Sequence, residues 1–264
     1  MTDQRFKGRV ALVTGGSSGI GRAVALGFAR EGAAVVIASR GRERGDAVRQ
    51  ELESLGAQAE FVPTDVSRAE DVERLVRCTV ERFGRLDCAF NGAAAIDVGC
   101  FKSTAEFSEE DFDRHITVNL KSVWLCMKHE IAQMLRQPSG GAIVNASSIN
   151  GLGGVSQNAL YAASKAGVLG LTKSAAQEYA KEGLRINALV AGGFRTPMLA
   201  SVFERISPQD PSAAEAGFAQ FVPLGRVGRP EEAADAVLWL CSEGASYVIG
   251  QSLIVDGGAT SPFR

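Results

Sequence analysis

Residues 145–165 read NASSINGLGGVSQNALYAASK, and the architecture of the chain follows from how this stretch is divided. It opens at the end of an apolar run, GGAIVNASS, that reads as a buried strand with Ser148 at its C-terminal end. A Gly-rich loop covers 151–158, and a segment with helical spacing begins near Ala159. Tyr161 and Lys165 stand four apart, which places both side chains on one helix face. A free phenol has a pKa near ~10, so at neutral pH only about 0.1% is phenolate. A nearby ammonium favours the charged form and makes the phenol usable in proton transfer. A hydroxyl such as that of Ser148 could hold a substrate oxygen opposite the pair. An isolated Y-x-x-x-K would more simply be a core tyrosine and a solvated lysine. The pair acquires chemistry only if a redox cofactor can be placed beside it.

The N-terminal part supplies one. Residues 9–13, RVALV, form a short apolar strand that runs into Thr14-Gly15-Gly16-Ser17-Ser18-Gly19-Ile20-Gly21 and a helical pattern through Arg30. Strand, Gly-rich turn and helix make a dinucleotide cradle: glycines admit the backbone to a pyrophosphate, and the helix N-terminus offers unpaired N–H groups. The spacing is G-x-x-x-G-x-G rather than G-x-G-x-x-G. A second strand, 33–38, ends at Ser39-Arg40, about 20 residues on, where an NAD-binding unit presents an acid to the ribose 2′-hydroxyl. Here the acid is absent and Arg40 follows, which favours a 2′-phosphate. NADP(H) is the expected cofactor, with NAD(H) as the alternative. Arg42 and Arg44 read as a solvated helix start.

The alternation then repeats: helix 42–55, strand 59–62, helix 69–83 and strand 87–90. The strand ends carry Asp65-Val66 and Asn91-Gly92-Ala93-Ala94. In an open parallel sheet Asp65-Val66 and the small residues Gly92 to Ala94 are placed where adenine and ribose could lie, though small residues there could equally form a tight turn without function. Residues 109–135 read as one long amphipathic helix with Asn119 in its middle, unfavourable there unless its amide is satisfied. The catalytic-stretch helix continues to about 181, and a strand, 185–190, leads to Ala191-Gly192-Gly193-Phe194-Arg195-Thr196-Pro197. From 197 to 223 the alternation breaks into an insert with scattered apolar residues, read as a substrate loop or lid. A helix, 231–242, and a strand, 252–255, complete one domain over 1–264.

Composition sets bounds. In 264 residues, 45% are hydrophobic and 22% charged, values of a soluble globular protein. The net charge of −2 gives no reason to expect nucleic acid, and no apolar run reaches the ~20 residues of a spanning helix. The N-terminus lacks a signal-peptide core, and Cys78, Cys88, Cys100, Cys126 and Cys241 show no ligand spacing. Reduced thiols in a cytoplasmic protein without a metal site are expected. His115 and His129, both in the 109–135 segment, read as surface or packing residues.

TGGSSGIG, the Asn91 turn, Asn119, Ser148 and Tyr161-x-x-x-Lys165 together resemble the short-chain dehydrogenase/reductase family, and the resemblance extends through PLGRVGRPEEAA and GQSLIVDGG. It implies a doubly wound, seven-stranded parallel α/β sheet of the Rossmann kind and an Asn119, Ser148, Tyr161, Lys165 tetrad. By that resemblance Tyr161 exchanges the proton with the substrate oxygen, Ser148 holds that oxygen, Lys165 binds the nicotinamide ribose, and Asn119 positions a water. It also places the cofactor on Gly15, Ser17, Ser18, Gly19, Ile20, Gly21, Ser39, Arg40, Asp65, Val66, Asn91, Ala93, Gly192 and Thr196. The family's Asn-Asn-Ala-Gly turn reads Asn91-Gly92-Ala93-Ala94, and its Pro-Gly after the sixth strand reads Ala191-Gly192, expected to loosen that turn. The activity implied is reduction of a small carbonyl or oxidation of a secondary alcohol. A 3-oxoacyl-carrier-protein reductase is the alternative, and a nucleotide-sensing regulator without catalysis would belong to another class. The long helices and the last strand are expected to pair four copies into a homotetramer.

Overall fold

Every residue of VALVT, Val10–Thr14 (β1), is buried, as a strand covered by helices on both faces requires. The period-two alternation splits it cleanly: Ala11 and Val13 join one core cluster, Leu12 the other. The computed structural model describes residues 4–95 and 102–261; Cys100 lies outside them. From β1 the chain passes through Gly19–Arg30 (α1), Ala34–Ser39 (β2), Arg42–Ser54 (α2), Ala59–Pro63 (β3), Ala69–Phe83 (α3) and Cys88–Asn91 (β4). After Glu109–Ile116 (α4) and Ser122–Met134 (α5) come Gly141–Ser148 (β5), Ala159–Tyr179 (α6) and Leu184–Ala191 (β6). Pro197–Ile206 (α7), Pro211–Gln220 (α8), Pro230–Cys241 (α9) and Ser252–Val255 (β7) close the domain.

The seven strands pair in parallel in the order β3-β2-β1-β4-β5-β6-β7. The chain starts at the centre, walks to one edge, returns beside β1 and walks to the other. The order therefore reverses between β1 and β4, and the crevice at their C-terminal ends is where such sheets bind ligands. Residues of α1 and α9 fill the core on one face, those of α3, α5 and α6 the other.

Two expectations change. The single helix over 109–135 is broken by a π-turn, Thr117–Lys121, between α4 and α5. The turn carries Asn119, whose amide is satisfied outside the helix, an outcome that hydrophobic spacing cannot register. The insert over 197–223, read as a substrate loop or lid, holds two helices, α7 and α8. The Thr196 side chain accepts from Leu199 N at 3.2 Å, that of Asp210 accepts from Ala213 N at 3.0 Å, and a proline follows each cap. Cap followed by proline is a helix-start signal, legible in T-P and D-P. Among the described residues no helix is long and apolar enough to cross a membrane.

Candidate active site

The Gly-rich turn, residues 14–18, lies over the reversal point. Gly15 and Gly16 donate backbone N–H groups to Ala38 O, at 2.9 and 3.3 Å. Gly15 has φ +71°, and a Cβ there would lie 2.9 Å from Ala93 N and from the Gly92 carbonyl. A Cβ on Gly21 would overlap the Gly15 carbonyl, so only glycine lets α1 start this close to the turn. No acidic residue stands in the first turn of α1, and the Ser18 side chain does not cap it. The first N–H groups and the positive end of the helix dipole, at Gly19, Ile20 and Gly21, therefore face the cleft uncompensated, as phosphate binding needs. Thr196 closes over this turn: its Cγ2 is 3.0 Å from where a Cβ on Gly19 would lie.

At the end of β2, the Ser39 hydroxyl is buried and has no hydrogen-bond partner. Arg40, Arg42 and Arg44 are exposed, and Arg44 turns back so that its Nε lies 3.6 Å from a Cβ position on Gly41. Arg44, exposed as a solvated helix start would be, keeps its guanidinium beside Gly41. The orphaned Ser39 hydroxyl and the glycine-lined helix start fit a nicotinamide dinucleotide.

Asp65 Oδ1 accepts from the backbone and hydroxyl of Ser67, at 3.0 and 2.6 Å, and Val66 packs with Val72, Leu125 and Cys126 against Ala93. Gly192 is not loose. Its N–H donates to Val255 O at 2.9 Å, and a Cβ would lie 2.6 Å from Asp256 Cα. Gly193 receives the ring of Phe218 from α8, with Phe218 stacked at a tilt on Phe203, centroids 5.7 Å apart. The expected freedom of this turn is replaced by close packing, which docks the two insert helices on the end of β6. Asn91 lies beside the central strand, paired with Thr14 of β1. It is the last residue of β4 and 2% exposed, and its Nδ2 donates to Asn145 Oδ1 at 3.0 Å and Glu130 Oε2 at 2.9 Å. Its side chain faces α5 rather than the cleft.

The tetrad positions converge on the ends of β4 and β5. Ser148 ends β5, and its Oγ accepts from Asn150 N at 3.2 Å. The turn after it packs onto α6, where a Cβ on Gly151 would touch the Lys165 carbonyl carbon at 2.8 Å; Ser147 Oγ donates to Lys165 O, also at 2.8 Å. Strand end and helix are thus tied at the turn of α6 that carries Lys165. The Lys165 side chain is 2% exposed, and its Nζ donates to Ala146 O at 3.0 Å and sits 5.8 Å from the centroid of the Tyr161 ring. Burial lowers its pKa from 10.5 to about 8. Asn119 is fully buried; its Oδ1 accepts from Ala95 N at 2.8 Å and its Nδ2 donates to Ala95 O at 2.9 Å. Glu130, which the sequence reading passed over, is a buried carboxyl whose pKa burial raises to about 7.

A family model described as Enoyl-(Acyl carrier protein) reductase matches residues 15–260. The chain is 44% identical over 263 residues to the A-factor type gamma-butyrolactone 1'-reductase (1S-forming) of Streptomyces virginiae, covering 98% of this chain and 99% of that protein. It is 41% identical over 257 residues to cyclohexanol dehydrogenase of Acinetobacter sp. (strain SE19), covering 97% of each. The crystal structure of levodione reductase superposes with a TM-score of 0.93 at 36% identity, covering 98% of this chain and all of that one. With these likenesses spanning the sheet, the cradle and the tetrad positions, the chain belongs to the short-chain dehydrogenase/reductase family and is an oxidoreductase of the alcohol dehydrogenase and carbonyl reductase kind.

Proposed function

We propose that the chain interconverts a small, ring-bearing ketone and its secondary alcohol with NADP(H) as the preferred cofactor. The observation that carries the reading is Lys165, a buried lysine held beneath the Tyr161 ring at the strand ends that also carry Ser148 and the glycine turn. Bound in the cradle, a nicotinamide dinucleotide supplies or accepts the hydride. The chain's residues do the rest. The Tyr161 hydroxyl gives a proton to the substrate oxygen during reduction and takes it back during oxidation. Ser148 Oγ, at the end of β5, holds that oxygen by a hydrogen bond. The Lys165 ammonium stabilises negative charge developing on the phenol oxygen and would hold the ribose of a bound cofactor, and Asn119 maintains the wall beside them.

Preference for NADP(H) is supported by the absence of an acid at Ser39-Arg40, by the exposed Arg40 that follows, and by Arg44 turning back onto Gly41. The substrate class is supported by two relatives named for ring compounds, a butyrolactone and cyclohexanol. Exposed apolar side chains mark the segments flanking the strand ends: Leu152 and Val155 after β5, Ile206 and Phe221 on the insert, and Leu224 just beyond it. Nearby arginines are engaged, Arg195 with Glu215 at 2.6 Å and Arg226 with Glu232 at 2.7 Å, which favours a free small molecule over an acidic carrier protein. Among the described residues Cys78, Cys88, Cys126 and Cys241 form no disulfide, which supports a cytoplasmic setting. We take the assembly to be a homotetramer, with half-exposed Trp124 on α5 in one contact and the edge strand β7, with Ile254 outward, in the other; light scattering giving a monomer at micromolar concentration would refute it.

The test of the reaction is Tyr161→Phe. It removes the proton donor and keeps the ring, so NADPH binding should persist while turnover of a cyclic ketone falls by roughly 10²–10⁴-fold. A Phe variant retaining most of the wild-type kcat would remove Tyr161 from the mechanism.

A further inference from the structure

The wall between the Gly-rich turn and the catalytic helix is the segment 92–95, Gly-Ala-Ala-Ala. None of these side chains can form a hydrogen bond, so the segment is held by its two ends and by backbone bonds to β1, Gly92 N donating to Thr14 O at 3.2 Å and Ala93 N to Thr14 Oγ1 at 3.5 Å. At the far end, Asn119 grips Ala95 through both N–H and C=O. At the near end, Asn91 is pinned through its Nδ2 to Asn145 Oδ1 and Glu130 Oε2. In between, Gly92 and Ala93 press on Gly15 so closely that a Cβ there would stand 2.9 Å from them. A displacement of the segment by a few tenths of an ångström is therefore transmitted to the phosphate cradle.

Glu130 is the unusual member of this set. It projects from α5 into the core, is 1% exposed, and among the described residues its one side-chain hydrogen bond is the one from Asn91. A buried carboxyl destabilises the fold unless it is neutral and bonded, and burial does raise its pKa to about 7. An apolar residue would fill this site at less cost to stability. What an apolar residue lacks is an acceptor aimed at Asn91.

We propose that Glu130 is a positioning residue for the cofactor site: by accepting from Asn91 it anchors the start of the 92–95 wall and so holds Gly92 and Ala93 against Gly15. The inference rests on the reading of this cleft as a dinucleotide site. Its reach is cofactor affinity, because the wall borders the cradle, whereas Tyr161 and Lys165 are held separately by α6 and Ala146.

The experiment is a direct titration of NADPH, followed by its fluorescence, into purified wild type, Glu130→Gln, Glu130→Asp and Glu130→Leu, with melting temperatures recorded alongside. Glu130→Gln keeps an acceptor oxygen and should bind NADPH as the wild type does. Glu130→Leu should raise the Kd by roughly tenfold, the equivalent of one buried hydrogen bond, while kcat at saturating NADPH changes less. Glu130→Asp, one methylene shorter, should fall between. A Leu variant that binds as tightly as Gln, or that loses kcat with Kd unchanged, overturns the proposal. Should Leu fail to fold, Asp decides: affinity equal to wild type overturns it. Absence of NADPH binding by the wild type would overturn the reading of the cleft, and the proposal with it.

Discussion

Asn119 and Ala95 are joined as if in a two-stranded ladder: the amide oxygen of Asn119 accepts from Ala95 N at 2.8 Å, and its nitrogen donates to Ala95 O at 2.9 Å. The π-turn of Thr117–Lys121 is what aims this side chain away from the helix bundle and onto the wall. Asn119→Asp keeps the acceptor but sets a carboxylate oxygen against a carbonyl oxygen. Leaving such a buried pair unsatisfied costs roughly 1–3 kcal/mol, so both the melting temperature and kcat should fall. Unchanged values of both would show that the pairing contributes neither to the fold nor to the site.

Lys165 carries a pH dependence whose sign follows from its burial. Its folded pKa is lowered from 10.5 to about 8, so the folded state disfavours the ammonium relative to the unfolded chain. The resulting penalty is full below pH 8, shrinks as pH rises from 8 to 10.5, and is absent above that. At its limit it is about 3 kcal/mol at neutral pH. Lys165→Met should therefore melt higher than the wild type at pH 7, with the gap closing towards pH 10, while turnover is lost. In the wild type the ammonium, and with it NADPH affinity, should decline as pH passes upward through about 8. A melting-temperature gap that does not vary with pH would argue against this assignment.

Arg40 and Ser39 set cofactor choice in this reading. A hydrogen bond to a charged group contributes roughly 1.5–3 kcal/mol, or one to two orders of magnitude in affinity. Arg40→Ala should weaken NADPH by about that factor and leave NADH nearly unchanged. Adding Ser39→Asp should invert the preference, by accepting from a 2′-hydroxyl and repelling a 2′-phosphate. Equal losses in kcat/KM for both cofactors would mean that Arg40 serves a part of the nucleotide that both share.

Gly193 gives the insert its seat. A Cβ at this position would fall 2.5 Å from Phe218 Cζ, and α8 has no fully buried residue with which to resist displacement. Gly193→Ala should push α8 outward and raise KM for the ketone while NADPH affinity and the melting temperature stay close to wild type. An unchanged KM would show that the insert does not line the substrate path.

Much of this was legible in the linear chain because the signals are local. The run of β-α units, the glycine turn between β1 and α1, the i, i+4 placement of Tyr161 and Lys165, and the missing acid after Ser39 each depend on residues within one or two turns of one another. A single-domain sheet with its cleft at the strand ends follows from these alone. What tertiary structure decided are the contacts between residues distant in sequence. Asn91 stood out in the sequence only as a strand-end residue; β-strand alternation turns its side chain towards α5, where Glu130 meets it from 39 positions away. Asn119 announced an unmet amide, but its partner, Ala95, lies across the sheet end, and the π-turn that reaches it has no sequence period. Gly192 and Gly193 read as freedom and are close packing, because a missing side chain means flexibility in isolation and proximity once Asp256 and Phe218 fill the space. Local chemistry is written in the order of residues; the satisfaction of buried polar groups and the filling of volume are properties of the folded whole.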